Sequence, residues 1–91
     1  MTKRNTSGIL GIKQGLFAEL CGWYGMVALI VAYFLVSFGI IHGQGMIFQL
    51  LNLTGGIGLL IVAASKNVIQ SVLLNFFWAA IGIVAIARLL L

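Results

Sequence analysis

"MIFQLLNLTGGIGLLIVAAS", Met46–Ser65, is a run of 20 residues without a charged side chain. An α-helix rises about 1.5 Å per residue, so about 20 apolar residues cross the roughly 30 Å hydrocarbon layer of a bilayer. The run far exceeds the ~10 residues of a membrane barrel strand and lacks the alternation such a strand needs. Two features interrupt it: Asn52, and the small-residue group "TGGIG" (Thr54–Gly58).

The flanks repeat the pattern. Leu20–Ile41 carries no charge, and neither does Val68–Ala87, which ends against Arg88. Across all 91 residues 63% are hydrophobic, only 7% are charged, and the mean hydropathy is +1.23. Soluble domains carry about 25% charged residues, and a chain this short could not bury so much apolar surface in one core. The expected fold is an all-α membrane protein: an N-terminal arm over residues 1–18, then a three-helix transmembrane domain over 19–91, with helices at about 20–41, 46–65 and 68–90. In the arm, Ile9, Ile12 and Leu16 share one helical face, as a short interfacial helix would arrange them.

The connections are short. "HGQG" (His42–Gly45) joins the first two helices, with glycines that permit a tight turn. "SKN" (Ser65–Asn67) joins the second and third, and Asn67 is expected to cap the third helix. Lys3, Arg4, Lys13 and Lys66 fall on one side of the membrane and Arg88 on the other. That asymmetry predicts a cytoplasmic N-terminus, a C-terminus outside, and residence in the cytoplasmic (inner) membrane as a multi-pass protein.

Several function classes are disfavoured. The net charge of +4 is split between membrane faces without interleaved exposed aromatics, so nucleic acid is not an expected partner. Glu19 is the only acid, which leaves no carboxylate pair for acid–base work, and the serines have no histidine on their expected face. No enzyme activity is expected. One cysteine and one histidine allow no internal disulfide or metal cluster, and no cofactor is expected. "AELCG" (Ala18–Gly22) superficially suggests a lipoprotein processing site at Cys21, but Leu20 and Glu19 precede the cut, so cleavage is not expected. Trp23 and Tyr24 read as interfacial anchors.

Helical spacing gives each span one polar or small stripe. The first runs Glu19, Trp23, Met26, Ile30, Tyr33, Ser37; the second Gln49, Asn52, Gly56, Leu59, Ala63; the third Ser71, Asn75, Trp78, Gly82, Ala85. Lipid rewards no polar stripe, so the three are expected to face one another or a shared cavity. Tyr33, Asn52, Asn75 and Trp78 then start within about 6 Å of the bilayer midplane, the depth at which transporters hold substrate. An amide beside an indole suits a small polar metabolite with a flat face. The other reading keeps these side chains for helix–helix hydrogen bonds and packing. Glu19 and Lys66 are a candidate ion pair or gate at the cytoplasmic mouth.

From Tyr33 through the Leu-Leu-Asn-Leu-x-Gly segment of the second helix to the Asn75-x-x-Trp78 pair, the chain resembles a family of small bacterial inner-membrane proteins of uncharacterised function. The likeness covers Glu19–Arg88. That three-helix size is similar to the half-transporters of the SemiSWEET and PQ-loop type, which pair as homodimers around a central pathway and use an asparagine and a tryptophan in the substrate pocket. The resemblance implies a SemiSWEET-like bundle and that role for Asn75 and Trp78. This chain has no proline and hence no Pro-Gln hinge, which leaves Gly55, Gly56 and Gly58 as hinge or close-packing positions. Two functional readings stay open: a homodimeric half-transporter for a small polar solute, and an accessory subunit of a larger membrane complex with no transport of its own. A pore-forming protein is disfavoured, because the polar faces look fitted for packing rather than for a wide lumen.

Overall fold

The structure, a computed structural model, describes residues 8–91; Lys3 and Arg4 of the arm's basic cluster lie outside the described residues. Three helices, each long and apolar enough to cross a membrane, make up the chain: α1 (Leu16–Ser37), α2 (Met46–Ser65) and α3 (Ile69–Leu90). They are preceded by one 3-10 turn, Ile9–Gly11. The chain is therefore a multi-pass integral membrane protein in its fold class. Its long dimension, 48 Å, exceeds the hydrocarbon thickness of about 30 Å, enough to extend into the headgroup layers.

α2 is the centre of the architecture. α1 and α3 each pack along it and barely meet each other. The buried residues of α1 are all small: Ala18, Gly22, Gly25, Ala28 and Ala32. Large side chains point outward, among them Phe17 at 72% exposure and Phe77 at 62%. This inversion of a soluble core is what lipid dictates. Leucine gains nothing by leaving hydrocarbon for a helix interface, whereas small residues let backbones approach closely enough for dispersion to hold them.

The two joints differ. A Cβ on Gly25 would strike the Gly55 carbonyl oxygen and lie 2.8 Å from the Leu59 nitrogen. A Cβ on Gly58 would strike the Cys21 carbonyl oxygen. The α1–α2 joint is thus backbone against backbone. Between α2 and α3, a Cβ on Gly56 would find its nearest neighbour, the Asn75 carbonyl oxygen, at 3.8 Å, an ordinary contact. At Gly56 that joint has room for a methyl group, whereas a Cβ on Gly82 would press on Leu53 Cβ at 3.3 Å.

α1 runs from Leu16 to Ser37, four residues earlier than hydropathy predicts for its two ends. Its C-terminus is set by Gly39, which takes the left-handed conformation (φ 71°). The Gly39 N–H then donates to the Val36 carbonyl and the Ile40 N–H to the Leu35 carbonyl, satisfying two orphan acceptors. Asn67 does the same for α2 at φ 61°, with N–H bonds from Asn67 to Ala64 and from Val68 to Ala63. Asn67 therefore ends α2 rather than capping α3, whose N-cap is Val68 without a side-chain bond.

In the arm, Ile9 and Ile12 pack on a cluster of Ala63, Ala64 and Val72, while Leu16 is 75% exposed at the start of α1. The expected amphipathic helix is a single 3-10 turn. Gly8 lies so close to the Ala64–Ser65 backbone that it has no space for a side chain.

Candidate functional site

Since α1 and α3 pack on α2 but barely meet each other, a cleft opens between them. It holds about 350 Å³ and is lined by Leu29, Ala32 and Tyr33 of α1, Phe48 and Asn52 of α2, and Trp78 of α3. Tyr33, Asn52 and Trp78, named from sequence on three separate helices, line this one hollow. Tyr33 is 75% exposed, Trp78 39%, and Asn52 half-buried. The Asn52 amide has no hydrogen-bond partner among the described residues. Two aromatic faces and a free carboxamide can sandwich a flat polar group while exchanging up to four hydrogen bonds with it.

The cleft is displaced from the midplane toward the α1–α2 loop. With α1 beginning at Leu16, Tyr33 lies about 10 Å beyond that helix's centre at 1.5 Å per residue, and Asn52 about 5 Å beyond that of α2 toward the same end. Asn52 and Trp78 stay within the expected depth of about 6 Å from the centre, and Tyr33 does not.

Asn75 is not a wall of this cleft. It is 5% exposed on the side of α3 that meets α2, beside Val72 and Gly82. Its Nδ2 donates to the Ser71 carbonyl oxygen at 2.8 Å, within its own helix. Its Oδ1 is buried without a partner among the described residues. Positions i and i+3 stand about 60° apart around a helix, enough to turn Asn75 onto α2 and Trp78 into the cleft.

The expected stripe on α1 likewise turns out to be a flank. Trp23, Ile30 and Tyr33 are well exposed, and the packed face is the alanine–glycine one beside it. Toward the N-terminal end, Glu19, Gly22, Trp23, Met26, Leu59, Val62 and Lys66 line a shallower hollow of about 280 Å³. Lys66 Nζ lies 2.7 Å from Glu19 Oε2, both side chains more than two-fifths exposed. Glu19 also sits in the first turn of α1, where the helix dipole favours an anion. A pair this exposed contributes at most about 1 kcal/mol. Glu19→Gln is expected to shift detergent unfolding by no more than that, and less at high salt. A loss several times larger would mean the pair is dry.

Gly55 and Gly58 are clasped against α1, and Gly56 faces α3. Sequence reading missed one polar link. The Thr54 hydroxyl donates to the Leu50 carbonyl at 2.8 Å, so the Tyr24 hydroxyl, 2.6 Å away, donates to Thr54. Tyr24 thus ties α1 to α2, and at about 4 Å from the centre of α1 it lies deeper than the interfacial anchor the sequence suggests. Hydroxyl side chains inside spans are the signal that could have found it. Gln49 is buried too, and its Nε2 donates to the Gly43 carbonyl at 3.1 Å, holding the first loop onto α2.

No curated protein and no solved structure matches the chain. A family model matches residues 18–91, which take in nearly all of α1, the whole of α2 and α3, and every residue of the cleft. The chain belongs to that family, one of uncharacterised type.

Proposed function

We propose that the chain is one protomer of a homodimeric half-transporter of SemiSWEET-like organisation, passing a small polar metabolite with a flat face across the cytoplasmic membrane, N-terminus inside. The observation that carries this reading is the cleft in which Tyr33, Asn52 and Trp78 converge around an unpartnered amide. Three helices with α2 in the middle leave that cleft open on its membrane side, where a polar solute would meet lipid. A second copy in the same orientation closes it around a two-fold axis along the membrane normal. Asn52 would bond the solute, and Tyr33 and Trp78 would stack on it. Asn75, buried against α2 within one chain, would not touch the solute.

The test is solute flux into proteoliposomes across a panel of sugars, polyols and amino acids. Wild type is expected to exceed empty vesicles for one chemical class. Asn52→Leu is expected to cut that flux about tenfold, the worth of one hydrogen bond lost in a dry site. No flux for any class, at a protein-to-lipid ratio where a dimer is verified by native mass spectrometry, overturns the reading.

The second reading, an accessory subunit, is favoured by the glycines. Gly55 and Gly58 hold α1 backbone to backbone, which suits a rigid docking unit better than a rocking one. Its signature is stoichiometric co-purification with a single larger membrane protein.

A further inference from the structure

At the end of the bundle away from the Glu19–Lys66 pair, a second pocket of about 360 Å³ lies between the α1–α2 loop and the last turn of α3. Gln44, Gln49, Ala85, Arg88 and Leu89 line it. Its charge is unbalanced. The chain has one acidic side chain, Glu19, and Lys66 already pairs with it at the opposite end. Arg88 forms no ion pair among the described residues. Gln49 is only 8% exposed, and its bond to Gly43 uses one of its donors, leaving a second N–H and an oxygen. Gln44 adds a further carboxamide from the loop. A guanidinium with two carboxamides and no acidic side chain is a donor set for an oxyanion, and the guanidinium's planar fork matches two phosphate oxygens. The end of a membrane span is also the depth of lipid phosphate.

We propose that this pocket binds one phosphate-type oxyanion, held bidentately by Arg88 and oriented by Gln44 and Gln49. Two sources present that chemistry there: a phospholipid headgroup, and a free phosphate from the aqueous side. The site is separate from the cleft and stands whether or not the chain transports anything.

Native mass spectrometry of the full chain released from phosphatidylglycerol nanodiscs tests it. Wild type is expected to keep one lipid per chain. Arg88→Lys keeps the charge but loses the fork, and is expected to lower the lipid-bearing fraction about fivefold, as is Arg88→Gln. Lys13→Gln removes one charge at the other end and is expected to leave the fraction unchanged. If no lipid is kept but inorganic phosphate raises the melting temperature of wild type and not of Arg88→Lys, the site stands with a soluble anion as its ligand. Equal retention by wild type and Arg88→Lys would reduce the effect to unspecific interfacial charge and overturn the proposal. So would the absence of both lipid retention and a phosphate response.

Discussion

Gly25→Val is expected to part α1 from α2. The new Cβ falls on the Gly55 carbonyl oxygen and 2.8 Å from the Leu59 nitrogen. Both are backbone atoms of a hydrogen-bonded helix, so no rotamer change relieves the collision and the helices must separate. Dispersion falls steeply with even a 0.5–1 Å gap. In lipid there is no hydrophobic force to close it again, because the exposed valines and leucines are as well solvated by acyl chains as by α1. The Tyr24–Thr54 hydrogen bond and the Glu19–Lys66 pair span the same joint and would loosen with it. The loss should therefore exceed the roughly 1–3 kcal/mol of ordinary overpacking. It can be read as a lowered midpoint when sodium dodecyl sulfate is titrated into micellar protein, with tryptophan fluorescence as the probe. Gly56→Ala is the matched control. Its Cβ meets nothing nearer than 3.8 Å, and alanine favours the helix by up to about 1 kcal/mol, so its midpoint should hold or rise slightly. A wild-type midpoint for Gly25→Val would show that α1 and α2 do not meet through this glycine face.

The contrast between those two glycines also marks what could be read from the residues alone. Hydropathy counts solvent preference, so three uncharged runs in so apolar a chain were enough for three spans. It does not register backbone conformation. Phe38, Ile40 and Ile41 extend the first run past the true end of α1, which Gly39 sets by adopting φ 71°. Nor does polarity reveal which face of α1 packs. The expected stripe through Glu19, Met26 and Tyr33 followed its polar tips, but size decides at a helix joint in lipid, and Ala18, Gly22, Gly25, Ala28 and Ala32 form the packed face. Polarity did mark the flank beside it, which is why Tyr33 still meets Asn52 and Trp78 in one cleft. Asn75 was grouped with Trp78 by spacing, and a rotation of about 60° sent the two to different surroundings.

Asn75 is the residue on which packing and function make opposite demands. Within one chain its Oδ1 is buried with no donor among the described residues, and its Nδ2 bonds only to the Ser71 carbonyl of its own helix. Neither bond nor orphan holds α3 to α2. A buried acceptor left unpaired costs about 1–3 kcal/mol, and an apolar replacement of similar volume removes that cost. Asn75→Leu is therefore expected to raise the detergent unfolding midpoint of the monomer, by about 1 kcal/mol once some overpacking against α2 is deducted. Asn75→Ala should gain less, because it opens a small cavity. The same leucine variant, measured in nanodiscs under conditions where native mass spectrometry shows a dimer, separates the two roles of the asparagine. If it stabilises there as well, Oδ1 is unpaired in the assembly, and selection for something other than stability keeps it polar. If it destabilises there and only there, α3 has shifted against α2 in the assembly so that a donor reaches Oδ1, which has no exposed surface within one chain. The cost of the orphan is then a property of the isolated chain, and the asparagine is satisfied only by the rearrangement that assembly brings.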